Sequence, residues 1–287
     1  MPELPEVTVI VNSLNKKIKG LILESIEYDW PKGFHWGKFK MEDLKGAKIT
    51  GVDRRGKVVL LNTDKNITIL IHLKLTGQLI YQDKKTRIAG GHPLPPLNLP
   101  APNKTTRVTF AFTNGGHLYF NDIRKFGWVK IARSDKREVI RAVGELGPDA
   151  LEIGFGEFSE RLAAKGKQRI KKLLMDQAFV SGIGNIYSDE ALWRAKIHPK
   201  RLAGLLSGAE VKALYAGIGD SLKLAIAKGG SSANSFVDSG GEKGLFLTFA
   251  KAYHMTGRPC ARCKTPIVRE KMDGRSAHFC PACQLLK

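Results

Sequence analysis

Four cysteines, Cys260, Cys263, Cys280 and Cys283, are the chain's full complement, and all lie within its last 28 residues. They form two Cys-x2-Cys pairs with 16 residues between them. Each pair can clip one edge of a metal ion while the stretch between folds as a hairpin, which suits tetrahedral Zn²⁺ held by thiolates. Four thiolates leave no vacant coordination position, so the spacing predicts one structural zinc ion and not a catalytic one. The metal stabilises a hairpin too small to have its own core. The intervening "VREKMDGRSAHF" puts basic side chains at the hairpin tip, Arg275 among them, which suits contact with phosphate. Cysteines confined to one short segment also argue against a disulfide framework and fit a reducing compartment.

A different chemistry is open to the first residues, "MPELPEV". Removal of Met1 exposes the secondary amine of Pro2. An α-amino group titrates near pH ~8, well below lysine, and can therefore attack an aldehyde-like carbon at neutral pH. Glu3 and Glu6 can flank that amine as proton-transfer groups. The same residues also make an ordinary polar helix entrance, with Pro5 and Glu6 favouring the first turn. Residue types alone leave both readings open and favour the entrance.

Three other stretches carry weaker signals. In "VSGIGNIYSDEALWRAKIHP" two glycines break the chain between helical segments and Asn185 sits near the start of the second. Such a helix–turn–helix can aim backbone N–H groups at a phosphate, although similar turns occur in proteins that bind nothing. "DRRGKVV" places Lys57 at the opening of a strand, where a basic cluster is usually a solvated face. "NDIRKFG" pairs Arg124 with Phe126 on a loop, a combination able to insert into a duplex.

The elements that must position these residues are legible as pattern. Leu4, Val7, Ile10, Val11, Leu14 and Ile18 recur at helical spacing, with Gly20 as a stop. Eight β-branched or aromatic runs follow: "LILESIEY", "KITGVDRR", "KVVLLNT", "NITILIHLK", "GQLIYQ", "RVTFAFTN", "HLYFND" and "WVKIAR". They predict an antiparallel sandwich or barrel over residues 20–135. Residues 84–104, with five prolines and two glycines, read as a long extended loop whose His92 is an ordinary surface histidine. Composition shifts near residue 135 to five helical segments, then to a Gly/Ser-rich loop at 229–244 and the cysteine segment. The 287 residues suffice for two domains. Lys and Arg exceed Asp and Glu by 47 to 27, a formal charge of +20, which points to a nucleic acid partner. No lipid-binding signal or membrane-length apolar run is present, and the acidic, proline-containing start is wrong for a signal peptide, so a cytoplasmic protein is expected.

"MPELPEV", "RRGK", "DIRKFG", "GIGNIYSDEAL" and the four-cysteine finger, in this order, resemble the formamidopyrimidine-DNA glycosylase and endonuclease VIII family of base-excision repair enzymes. "PELPEV" and "RRGK" point to the formamidopyrimidine branch. The resemblance spans essentially the whole chain. It implies an α+β multidomain fold: an N-terminal helix and antiparallel β-sandwich (1–135), a helical helix-two-turn-helix domain (136–248) and a C-terminal four-cysteine zinc finger (249–287). It further implies a monomer acting on double-stranded DNA that carries oxidised bases or abasic sites. A damaged nucleotide is flipped out, Pro2 attacks C1′ of its sugar, the base leaves, and the resulting Schiff base decays by β- and then δ-elimination. Glu3 matches the principal proton-transfer residue, Glu6 a supporting carboxylate and Lys57 a phosphate-binding lysine that supports catalysis. Lys171, Asn185 and Arg275 match phosphate contacts. Arg124 and Phe126 match two members of the family's Met-Arg-Phe wedge, with Leu75 at the methionine position. The loop at 230–247 has Asn234 where arginine is frequent, and "AYHMTGRPC" lacks the usual Gly-Arg after tyrosine. These departures bear on lesion preference and leave the nucleophile and its carboxylates intact. Oxidised purines are therefore the expected substrates. An oxidised-pyrimidine preference, or a non-catalytic finger protein that binds damaged DNA, are the alternatives.

Overall fold

Pro5 stands in the first turn of helix α1 (Leu4–Ile18), where its fixed φ is preorganised and its missing N–H breaks no intrahelical bond. The helix ends at Lys19, and Gly20 turns away at φ +91° with its N–H donating to the Ile49 carbonyl at 2.8 Å. The structure, a computed structural model, describes residues 1–91, 100–231 and 244–286. These residues pack as two units: Met1–Glu145 with Gly229–Gly244, and Leu146–Lys228 with Leu245–Lys287.

In the first unit two five-stranded sheets face each other. Their strands are β1 (Leu23–Tyr28), β2 (Phe34–His35), β3 (Ile49–Arg55), β4 (Val58–Thr63), β5 (Ile67–His72), β6 (Gly77–Gln82), β7 (Arg87–Gly91), β8 (Thr106–Phe112), β9 (His117–Asp122) and β10 (Trp128–Arg133). One sheet has the order β1-β8-β9-β6-β7 and the other β2-β10-β5-β4-β3. Val59 and Leu61, Ile69 and Ile71, Leu79 and Tyr81, Phe110 and Phe112, and Leu118 and Phe120 alternate by two along their strands and meet in one core. Val7, Ile10, Val11, Leu14 and Ile18 of α1 complete it. Helix α1 packs against β3 and β7, one edge strand from each sheet, and so covers two edges that would otherwise present unpaired backbone. Two short helices, α2 (Met41–Leu44) and α3 (Lys136–Val143), lie beside the sheets.

All eight expected strands are present, and two more are not visible as runs. β2 is two residues long and pairs in parallel with β10, so the sandwich has one parallel step. β7 occupies the start of the proline-rich stretch read as loop. Its "RIAGG" looks like a turn, but a Cβ on Gly90 would approach Ile10 Cγ1 to 2.7 Å, so the small residue is what lets α1 close over the strand. The rest of that stretch, 92–99 with His92, lies outside the described residues, as does 232–243 of the Gly/Ser loop with Asn234.

The second unit contains α4 (Phe155–Ala164), α5 (Ile170–Met175), α6 (Asn185–Ala195), α7 (Gly208–Ala227), α8 (Phe246–Phe249) and the hairpin β11 (Val268–Met272) and β12 (Arg275–Phe279). Helix α6 is buried almost throughout and packs against α5, α7 and β12. Helix α5 is shorter than its apolar pattern, because the Asp176 carboxylate accepts the Ala178 N–H at 2.9 Å and stabilises a turn in place of another helical one. Among the described residues no helix is long and apolar enough to cross a membrane.

The turn joining β5 to β6 is tight. A Cβ on Gly77 would lie 2.3 Å from the Leu73 carbonyl oxygen and 2.6 Å from Leu73 Cα, both backbone atoms that cannot move aside. Gly77→Ala is expected to destabilise the protein by about 2 kcal/mol or more, read as a lowered midpoint in urea unfolding.

Candidate functional site

Two buried carboxylates sit at the chain's start. Glu3 and Glu6 are 4% and 2% exposed, and Pro2 is buried beside them in sequence. Glu6 Oε2 accepts the Glu3 N–H at 2.9 Å and Glu6 Oε1 accepts the Ser231 N–H at 2.7 Å. Both oxygens are thus taken by backbone: one holds Glu3, the residue following Pro2, and the other holds Ser231. The sequence offered no sign of Ser231, which is remote in the chain and sits in a Gly/Ser run.

Lys57 is buried in the β3–β4 turn after Gly56 (φ +54°), one residue before the strand it was expected to open. His72, paired across from Val58, is held down to about 3 by burial, helped by the charges of Lys74 and Lys57. It is neutral at physiological pH. Acidification from pH ~6.5 toward 3 therefore favours the unfolded chain, in which this imidazole takes up its proton. Neutral His72 accepts the Lys74 N–H on Nδ1 at 3.0 Å and fixes the left-handed Lys74 (φ +49°) just before half-buried Leu75.

Leu75, Arg124 and Phe126 lie on two turns joined by one residue that sequence reasoning missed. Asp122 is fully buried at the end of β9. Its Oδ1 accepts the Thr76 hydroxyl and the Arg124 N–H (3.2 Å), and its Oδ2 accepts the Gly127 N–H at 2.7 Å. The turn so held presents Arg124 with its guanidinium 4.7 Å from the Phe126 ring centre, and both side chains are exposed. A loop-ending aspartate reads as a turn former in sequence; only its burial shows that it organises both turns.

In the second unit Lys171 of α5 is buried and ion-paired with Asp189 of α6. Asp189 Oδ2 also receives the backbone N–H of His278 at 3.0 Å and lies 2.9 Å from His278 Nδ1. Lys171, Lys172 and Arg275 line a cavity of about 230 Å³ between α5 and the hairpin. Asn185 opens α6 and lines a separate polar recess with Tyr253, His254, Arg269 and His278. Glu190 accepts the backbone N–H groups of Lys251, Ala252 and Tyr253 at 2.9–3.0 Å; burial pushes its carboxyl up, and these three donors oppose the shift.

The four cysteine sulfurs lie within 4.8 Å of one another. A tetrahedron of ~2.3 Å Zn–S bonds has edges near 3.8 Å, so the set fits one ion. The hairpin between the pairs turns at Asp273 (φ +49°) and Gly274 (φ +77°), and exposed Arg275 begins its second strand. Burial opposes ionisation at every one of these thiols. At Cys260 the N–H groups of Cys263 and Arg262 outweigh it and bring the thiol down to about 6, whereas Cys280 is pushed up to about 12. Metal binding at neutral pH therefore displaces a proton from Cys280.

Known proteins match this arrangement along its length. Residues 1–129 match the formamidopyrimidine-DNA glycosylase N-terminal domain, 146–237 the helix-two-turn-helix (H2TH) domain of the same enzyme, and 257–285 a zinc finger found in this glycosylase and in isoleucyl-tRNA synthetase. The formamidopyrimidine-DNA glycosylase of Pelotomaculum thermopropionicum is 38% identical over 291 residues, covering 100% of both chains. The chain belongs to the formamidopyrimidine-DNA glycosylase family. The Heliobacterium modesticaldum member is 39% identical over 99% of this chain and 100% of its own. Among solved structures, a Lactococcus lactis family member bound to DNA containing Fapy-dG superposes with a TM-score of 0.86 at 32% identity, covering 99% of this chain and 100% of the other. The same protein bound to abasic-site DNA gives 0.84 at 31%, with the same coverage. The finger thus holds one structural zinc, as the cysteine spacing and the sulfur cluster require.

In this glycosylase fold Asp122 is the acceptor on which both exposed turns depend. Asp122→Ala leaves the Gly127 N–H buried without its acceptor and should cost about 2–4 kcal/mol in urea unfolding, with a smaller loss for Asp122→Asn, which keeps one acceptor oxygen.

Proposed function

We propose that the chain is a bifunctional DNA glycosylase and abasic-site lyase that removes oxidised purines, 8-oxoguanine and formamidopyrimidines, from duplex DNA. The observation that carries this reading is the double backbone clamp on Glu6, which fixes the segment holding Pro2 and Glu3. In this reading Met1 is removed and the Pro2 nitrogen attacks C1′ of the flipped nucleotide. The glycosidic bond breaks, the base leaves with a proton, and the sugar ring opens to an iminium on Pro2. Glu3 moves the protons at the sugar. Loss of a C2′ proton then expels the 3′ phosphate, and a second elimination expels the 5′ phosphate. Glu6 supports by position, because both its oxygens hold backbone N–H groups.

DNA binding divides among the remaining residues. Lys57, Lys171, Asn185 and Arg275 contact phosphate. Lys171 does so as part of a pair with Asp189, which lowers the cost of its burial. Leu75, Arg124 and Phe126 fill the space left by the flipped base, Phe126 being 51% exposed and so available for insertion. The work is spread over three parts, 1–135, 136–248 and 249–287, in one monomer. The L. lactis relative has also been solved on DNA containing an oxidised pyrimidine, which supports pyrimidine lesions as a second substrate class.

Pro2→Gly and Glu3→Gln test the assignment. Each is expected to slow release of 8-oxoguanine about 10²-fold or more while changing affinity for the duplex less than about threefold. The intact mass of the wild type should lack Met1. Retained Met1 with full activity, or equal loss of binding and base release in both variants, contradicts the proposal.

A further inference from the structure

Trp193 lies in the last turns of α6, 8% exposed. Its indole packs with Cys260, Cys280, Ile267 and Ala252, with Cys283 and Met255 at the margin. Its Nε1–H is buried and makes no conventional hydrogen bond among the described residues. An unmet buried donor of this kind costs about 1–3 kcal/mol, a cost that a phenylalanine ring would not carry. The buried cluster around this N–H offers thiolate sulfurs as acceptors, those of Cys260 and Cys280.

The surroundings say why a donor is useful there. Zn²⁺ with four thiolates carries a net charge of −2, and Cys260 and Cys280 are both fully buried. Such a centre needs donors directed at sulfur. The backbone N–H of Cys283 donates to the Cys280 sulfur at 3.4 Å. Arg262 adds a cation: its guanidinium lies 3.9 Å from the Trp193 ring centre and donates to the Trp193 carbonyl at 2.7 Å. Trp193 and Arg262 therefore grip each other beside the cysteine cluster.

We propose that Trp193 supports the zinc centre directly, its Nε1–H donating to the Cys260 thiolate, with Arg262 as the companion cation. Helix α6 then governs how tightly the finger keeps its metal. The same helix carries Asp189 and Glu190, which hold His278 and residues 251–253, so metal retention and the seating of the finger become one property of α6.

The test uses the full-length, zinc-loaded protein and the variant Trp193→Phe, which keeps a ring for Arg262 and removes the N–H together with part of the indole's volume. Zinc transfer to excess 4-(2-pyridylazo)resorcinol is expected to be about tenfold faster than in the wild type. With Co²⁺ in place of zinc, the thiolate-to-cobalt charge-transfer band should move to lower energy, since a thiolate without its hydrogen bond gives up charge more readily. Ile267→Val, which loosens the same cluster without touching a donor, should leave the band in place. Wild-type release with an unmoved band overturns the proposal. Faster release with an unmoved band also overturns it, because that result assigns the effect to packing. If Trp193→Phe does not fold, Arg262→Gln decides: release at the wild-type rate contradicts the pair's role, and release several-fold faster supports it.

Discussion

A nucleophile at the first residue of a mature chain meets one physical constraint before any other: chain ends fray, and a frayed amine cannot hold a reactive geometry. Here the constraint is met by the carboxylate of Glu6, which receives the N–H of Glu3 from one side and the N–H of Ser231 from the other. The helix that carries Glu6 is itself fixed, because its apolar face completes the sandwich core and covers an edge strand of each sheet. Core packing thus reaches the proposed nucleophile through four residues of helix and one carboxylate. Little in the first unit would stay in place if α1 moved.

The same device recurs. Asp122 holds the turns of Leu75 and Arg124, Asp189 ties Lys171 to His278, and Glu190 gathers the backbone of residues 251–253. In each case a buried carboxylate replaces water as the partner of backbone N–H groups or a cation. The basic surface suits a polyanionic partner, while these few buried acids do the internal positioning. A chain with +20 formal charge keeps them where loss of one would leave several donors unmet.

How much of this was legible in sequence follows from the range of each signal. Periodicity over ten residues or more, as in α1 or the eight recognised strands, reports local burial directly. The metal site was legible because its four ligands fall at fixed short spacings. β2 was invisible since two residues carry no period, and β7 because its Gly90 answers to a helix 80 residues earlier in the chain. Ser231, Asp122 and Asp189 were missed for a related reason. Their roles depend on partners brought together by folding: serine or aspartate near glycine reads equally well as turn chemistry, and Asp189, inside a helical segment, reads as an ordinary polar helix position. The finger's dependence on Trp193 was equally hidden, since an apolar helical position gives no hint that its N–H faces sulfur.

The most direct test of the central claim is borohydride trapping on two duplexes, one carrying 8-oxoguanine opposite cytosine and the other an abasic site. Covalent adducts on both, mapped to Pro2 by peptide mass spectrometry, are the predicted result. Tight binding to both duplexes with no adduct on either would contradict the account and leave a protein that recognises damaged DNA without acting on it.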